Sequence, residues 1–391
     1  MRPLRIALLT YSTKPRGGVV HTLNLAEELA RLKHQVHIYA LSTGEGFFRS
    51  VSVPYTLIQC EVVNNESIDE KVKRYISVYS EYMASINENY DIYHAEDCIS
   101  ANVLFELRKR SLIKFFVRTI HHIDDFTSNS LIECQLRSIM KPDYIIVVSK
   151  FWEKELYSRY YLNSVLIHNG VDVEKFVIRG DKEFLKEEAK KFFSVSGCKV
   201  MLSIGGIEPR KNTVTTLRAF SIASSYVKTR GERLIWLIGG GETLFDYRAY
   251  REEFFSEVKR LRLRLDEDIM ILGNVPEDSI LKLYRAGDVF VFPSVKEGWG
   301  LVVLEAMASG LPVIASNVEP MTEYLRDGEN SILVSPMDYK TLAQQIIRVL
   351  EEPELREKLI RNGMRTSQAY SWRNTALRHL EFYSEILAER Y

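Results

Sequence analysis

Residues 293–312 read PSVKEGWGLVVLEAMASGLP, and the stretch decides the fold. It follows the apolar run VFVF at 289–292 and holds two glycines, Gly298 and Gly300, ahead of LVVLEAMA, a buried-helix composition. Strand, glycine turn and helix together form the unit of parallel sheets covered by helices. The turn lies at the carboxyl end of its strand, where open sheets place their ligands. Its glycines let backbone amides approach a bound group, and the helix start adds unpaired N–H groups and partial positive charge. Gly298, Trp299, Gly300, Leu301 and Val302 are therefore the expected seat of a diphosphate.

Two carboxylates frame this turn. Glu297 precedes it, and Glu305, eight positions later, falls about a turn and a half inside the helix. An acid at that depth can accept both hydroxyls of a ribose while phosphates stay at the helix mouth. The plainer reading makes Glu305 a solvated surface residue, which its apolar flanks disfavour.

Working backwards, GGIEPRKN at 205–212 follows a second apolar run and precedes another helix pattern. Arg210 and Lys211 at a helix start oppose the helix dipole, so a bound anion is the better explanation for them. Gly206 belongs to the same turn. Strands are expected at 200–204, 234–238, 269–272, 289–292 and 312–315, alternating with helices at 213–224, 246–263, 277–286 and 300–309.

An independent series precedes it, with strands expected at 5–10, 36–40, 92–94, 115–119 and 144–148. The helix at 21–32 places Leu25, Leu29 and Leu32 on one stripe. Two such series predict an α/β chain of two doubly wound, Rossmann-like parallel-sheet domains facing across a cleft, covering 1–172 and 195–370. The charged run 171–193 reads as a linker with a solvated helix, and 371–391 as a final amphipathic helix.

In the first series, TYSTKPRGGVVH at 10–21 places Gly17 and Gly18 in a turn that feeds a helix. It lacks the third glycine of GxGxxG and the acidic residue expected of a nicotinamide site, and it has no GK[ST] of a P-loop. His121 and His122 follow the strand at 115–119, at the ligand end of the sheet. Asp266-Glu267-Asp268 has the DxD form of a divalent-metal site, but its place before a strand reads as a solvated loop.

Composition narrows the rest. The 52 basic and 52 acidic residues cancel, so no overall field draws the chain to nucleic acid or an anionic membrane. Cys60, Cys98, Cys134 and Cys198 form no CxxC pair and read as free thiols of a reducing compartment. The first residues lack a signal-peptide pattern, and no window reaches the roughly 20 apolar residues of a membrane span. A cytoplasmic protein is expected, with peripheral attachment at the inner membrane face left open.

Together these motifs resemble the retaining GT-B glycosyltransferases of family 4 along nearly the whole chain. EGWGLVVLE at 297–305 is similar to that family's E-x7-E element, and GGIEPRKN stands where it has its diphosphate-binding turn. LTYSTKPRGGVVH, the histidine after Thr119-Ile120, VSKFW at 148–152 and HNGVDVEKF at 168–176 also match. The resemblance implies a nucleoside-diphosphate sugar as donor, a hydroxyl compound as acceptor and no metal or other cofactor. It implies that Glu305 holds the ribose, Glu297 meets the donor sugar, Arg210 and Lys211 hold the diphosphate, Gly18 offers its amide to phosphate and His121 contacts the transferred sugar. It also implies that the final helix returns to the amino-terminal domain. Gly206 stands where many members have arginine, a departure shared with a subgroup carrying GGIEPRKN and TYSTKPRGGVVH. A nucleotide-sugar epimerase, a phosphorolytic enzyme or a non-catalytic nucleotide-sugar-binding module would use the same frame; the missing arginine is what favours the last.

Overall fold

The computed structural model describes residues 2–126, 128–241 and 247–390. The chain forms two compact units, one of Met1–Gly170 with Trp372–Tyr391, the other of Val171–Ser371. Each is built on a parallel sheet.

In the first unit the strands are β1 (Arg5–Thr10), β2 (Gln35–Ser42), β3 (Tyr55–Gln59), β4 (Ile92–Ala95), β5 (Val117–Ile120), β6 (Tyr144–Val147) and β7 (Val165–Leu166), in the order β3-β2-β1-β4-β5-β6-β7. Side chains alternate along β1, so the sheet buries both faces. Ile6 and Leu8 pack with Leu23 and Leu29 of helix Gly17–Arg31 and with Ala376, Leu380 and Tyr383 of helix Trp372–Arg390. Ala7 and Leu9 pack on the opposite side with Tyr79 of helix Ile68–Ser85 and Leu104 of helix Cys98–Lys109. The final helix is thus core to the first unit although about two hundred residues of the second unit separate them in sequence.

The second unit carries β8 (Lys199–Ile204), β9 (Leu234–Gly239), β10 (Ile269–Gly273), β11 (Val289–Phe292), β12 (Val313–Ser316) and β13 (Ile332–Val334), in the order β10-β9-β8-β11-β12-β13. One face buries Met201, Trp236, Val289 and Val291 against Leu217 and Phe220 of helix Thr213–Thr229 and Ile346 of helix Tyr339–Glu351. On the other, the ring of Phe290 lies 6.1 Å from that of Tyr284 in helix Glu277–Ala286. Both sheets reverse direction of growth beside their first strand, between β1 and β4 and between β8 and β11. These switch points are where doubly wound sheets open a crevice beyond the strand ends.

The ten expected strands are present with ends displaced by no more than two residues. Three others were not anticipated, because β3 is a half-exposed edge and β7 and β13 are two and three residues long. The helix expected at 246–263 is observed as Arg248–Arg260, its proposed start at 246 lying outside the described residues. The helix expected at 21–32 begins earlier, at Gly17, since the two glycines themselves form its first turn. Within 171–193, helices Val173–Phe176 and Lys182–Phe192 belong to the second unit. Lys186 and Lys190 of this charged run converge on Asp288 at 2.5 and 3.0 Å, and Lys190 also donates to the Cys198 carbonyl, so this face of the helix is anchored rather than solvated. All four cysteines are free, Cys98 half-buried and the others buried. Among the described residues no helix is long and apolar enough to cross a membrane.

Candidate active site

At the switch point of the second sheet, the turn after β11 is fixed by a residue that only glycine can be. Gly300 caps helix Leu301–Ala308 with φ +88°, and a Cβ there would stand 2.9 Å from the Tyr324 hydroxyl. Tyr324 donates to the Trp299 carbonyl at 3.0 Å, and the Trp299 ring is buried 4.9 Å from the Tyr324 ring. Trp299 therefore anchors the turn by its side chain, leaving only its backbone for a ligand. No side chain caps the helix that follows, while Gly298, Leu301 and Val302 remain partly exposed. An uncapped, accessible helix start with no acid in its first turn suits an anion.

Glu305 lies on the same helix, half-buried, and accepts a hydrogen bond from the Tyr284 hydroxyl at 2.6 Å. Burial raises its pKa, with Tyr284 and Lys175 opposing and Glu277 reinforcing the rise. Lys175 is itself paired with Glu277.

The neighbouring turn after β8 is stitched to this one. Asn212 donates from its side chain to the Pro293 carbonyl at 3.1 Å, and the Val295 amide donates to the Arg210 carbonyl at 2.9 Å. Glu297 is buried and receives Lys211 Nζ at 2.6 Å and Arg210 Nη1 at 3.1 Å, while Arg210 Nε lies 3.2 Å from Glu208. Burial pushes the Glu297 carboxyl up, but Lys211 and Arg210 more than offset this and hold it below its ordinary value. For Lys211 burial dominates and, with Arg210 beside it, lowers the ammonium pKa against the pull of Glu297. The two cations thus face two carboxylates, and the net field of this turn comes close to balance.

Gly206 has a steric explanation. A Cβ there would fall 2.6 Å from the Gly241 carbonyl oxygen and 3.0 Å from Glu208 Oε1, so an arginine at this position has no room beside that backbone.

In the first unit Gly17 and Gly18 open helix Gly17–Arg31 without a side-chain cap. A Cβ on Gly18 would sit 3.5 Å from His121 Cδ2, which brings the glycine turn and the histidine together. The adjacent histidines part company. His121 is mostly buried and reaches Glu96 Oε2 at 3.2 Å, whereas His122 is exposed beside Asp124. Around Glu96 gather His21, His94 and His121, with His379 5.8 Å from the His21 and His94 rings. Donor atoms of His21, Glu96 and His121 lie within 4.8 Å of one another, the one such trio of possible metal-binding side chains among the described residues. In the DxD segment, Asp268 and Glu267 both pair with Arg264.

Comparison with known proteins extends over nearly all of this architecture. The family model for Glycosyltransferase Family 4 matches residues 15–175, and that for Glycosyl transferases group 1 matches residues 185–366. The chain belongs to the group 1, family 4 glycosyltransferases. An uncharacterized glycosyltransferase of Methanocaldococcus jannaschii is 26% identical, with 97% of this chain and 98% of that one aligned. The D-inositol 3-phosphate glycosyltransferase of Corynebacterium urealyticum is 23% identical over 98% of this chain and 96% of that one. Among solved structures, an Anabaena protein in complex with UDP and glucose superposes with a TM-score of 0.77 at 18% identity, covering 98% of this chain and 100% of that one. Two helix-covered parallel sheets with this likeness along the chain make the fold GT-B.

For the glycosyltransferase, the second unit gathers Glu297, Arg210, Lys211, Gly206, Gly298, Gly300 and Glu305 around one switch point, and the first unit gathers Gly17, Gly18 and His121 around the other. Sequence reasoning missed Tyr284, Glu96 and His21. Glu96 had one available signal: it directly follows a strand, in HAED at 94–97, at the ligand end of the sheet.

Proposed function

We propose that the enzyme transfers a sugar from a nucleoside-diphosphate donor to a hydroxyl acceptor with retention of anomeric configuration and without a metal. The observation that carries this reading is the pairing, on one eight-residue helix, of an uncapped N-terminus with Glu305 one turn further in. Phosphate oxygens at the amides of 298–302 would put the ribose hydroxyls over Glu305, whose Tyr284 bond engages one carboxylate oxygen. The Anabaena protein, solved with UDP and glucose, supports the donor class. Glu297 and His121 are assigned to the transferred sugar, and Gly18 with Arg210 and Lys211 to the diphosphate.

In this reading the acceptor hydroxyl attacks the anomeric carbon from the face that the diphosphate leaves. Stabilising the departing charge is the main electrostatic task. Arg210 and Lys211 are at hand for it, and a diphosphate would compete with Glu297 and Glu208 for them. The acceptor is a hydroxyl-bearing glycan, glycolipid or small molecule. The non-catalytic alternative rests on the missing arginine, and the tight backbone at Gly206 gives that absence a local steric reason as well.

A panel of UDP-, GDP- and ADP-sugars read by melting temperature tests the donor, because a ligand that binds only the folded state raises stability by mass action. One class of nucleotide should raise the midpoint, and the Glu305→Ala variant should lose that rise. No shift with any nucleotide sugar would sink the assignment. Proton NMR of the first product formed gives its anomeric configuration, and activity in excess EDTA tests metal independence. Placement in the cytoplasm, with or without peripheral membrane association, is part of the proposal and is tested by fractionation and vesicle flotation.

A further inference from the structure

The ionisable cluster of the first unit determines what His121 can offer a substrate. Glu96, directly after β4, has a wholly buried side chain. From helix Gly17–Arg31, His21 turns Nδ1 to Asn169 Oδ1 at 2.8 Å. An amide oxygen only accepts, so Nδ1 carries the hydrogen and Nε2 keeps a lone pair. That nitrogen is buried without a hydrogen-bond partner among the described residues, and it faces Glu96 Oε2 at 3.6 Å. The same oxygen lies 3.2 Å from His121 Nε2.

Two lone pairs facing each other in a dry site repel, and a proton between them turns the contact into attraction. A neutral carboxylic acid supplies it: protonated on Oε2, it directs its O–H at His21 Nε2, and the same hydroxyl oxygen accepts from His121 Nε2–H. The surroundings favour that state. Burial raises the Glu96 pKa to about 7, against the opposing pull of His21 and Arg118 and with a contribution from Asp97. Burial also lowers His21 to about 3, so the proton belongs on the acid. The remaining groups around it are engaged elsewhere. His94 bonds Tyr383 at 2.6 Å and Thr119 at 2.7 Å, His379 donates to the Thr375 carbonyl at 2.8 Å, and Arg118 reaches the carbonyls of Ala95 and Thr119.

We propose that Glu96 is a positioning residue that works as a neutral acid, bridging His21 and His121 and holding His121 as the Nε2–H tautomer, with Nδ1 left to accept a hydrogen bond from a hydroxyl of the transferred sugar. The inference rests on the assignment of His121 to that sugar. It adds a specificity: the sugar must present a hydroxyl donor at this point, and a donor deoxygenated there loses the bond.

Glutamine is neutral, and its amide oxygen in the place of Oε2 still accepts from His121 Nε2–H, while the donor towards His21 is given up. Glu96→Gln should keep kcat/KM within about threefold of wild type and flatten the fall in activity on the alkaline side of neutrality, whereas Glu96→Ala should lose at least about tenfold, as should His121→Ala. On the whole chain, nitrogen-15 NMR of labelled histidines should read Nε2–H for His121 and Nδ1–H for His21, independently of activity. Equal damage from Glu96→Gln and Glu96→Ala, an Nδ1–H or doubly protonated His121, or a stoichiometric transition metal retained by the purified enzyme would each overturn the proposal. If His121→Ala turns over at the wild-type rate, the sugar assignment fails, and the consequence drawn for Nδ1 falls with it even where the tautomers agree.

Discussion

The two switch points solve the same problem with opposite electrostatics. In the second unit Glu297 is buried but ionised, because Lys211 and Arg210 reach it at 2.6 and 3.1 Å and hold its pKa down. In the first, Glu96 is equally buried but ringed by histidines that burial keeps neutral, and its pKa rises to about 7. Burial of a carboxylate does not decide its charge; the partner that comes with it does. The second switch point is a set of fixed charges, which the proposed mechanism turns on a departing diphosphate, whereas the first is a set of neutral hydrogen-bonding groups, which it turns on hydroxyls.

The comparison breaks most readily at Lys211. If its charge acts on the leaving diphosphate, Lys211→Ala should lower kcat by about 100-fold, the order seen when one preorganised donor to a developing anion is removed. Steady-state kinetics with the identified donor measures this, and a value within threefold of wild type would remove Lys211 from the mechanism. Glu305→Ala should act on binding instead. Losing two hydrogen bonds from ribose hydroxyls to a carboxylate should weaken the donor by about 30-fold, and Glu305→Gln by less. Titration calorimetry with donor and with the free sugar separates the two sites, since the free sugar has no ribose and should bind both proteins alike.

How legible each switch point is in sequence follows from how its residues are assembled. Gly298, Gly300, Glu297 and Glu305 lie within nine consecutive residues, and glycine at a positive φ leaves a mark that no packing context erases. The first cluster draws His21, Glu96, His121, Asn169 and His379 from separate elements spread over most of the chain, and local periodicity carries nothing of it. Tyr284 was hidden in the same way, on a helix placed in the sequence only by its position between two strands. Strand positions were readable because runs such as VMLSI and VFVF are buried on both faces, while β3, half-exposed at an edge, has no such run. The charged segment 171–193 misled because a lysine buried against Asp288 and one in water look alike in sequence.

A smaller effect tests the frame of the second site rather than its chemistry. Gly300→Ala puts a Cβ at φ +88° within 2.9 Å of the Tyr324 hydroxyl, and strain of that kind should cost about 2 kcal/mol of stability. Denaturant unfolding should show the loss, and Tyr324→Phe should relieve part of it by removing the clashing oxygen. Additive losses in the double variant would mean that the strain lies in the backbone or against Met321, whose Sδ would stand 3.0 Å from the Cβ, and not at this oxygen.

The smallest predicted effect sharpens the contrast from the first unit's side. Glu96 has a folded pKa of about 7 against an ordinary 4.5, so between those values the native state binds more protons than the unfolded chain. Its contribution to stability is therefore full below about pH 4.5 and is lost as pH rises through 7. His21 and His379, lowered by burial to about 3 and 4, act with the opposite sign, losing stability as pH falls below 6.5, but they are common to wild type and Glu96→Gln. The difference between the two proteins isolates the acid: Glu96→Gln should gain on wild type by on the order of 1 kcal/mol between pH 5.5 and 7.5. Paired urea titrations at the two pH values measure it. A difference that stays flat would mean that Glu96 holds no extra proton in the folded state, and the two buried acids would then share one electrostatic design instead of two.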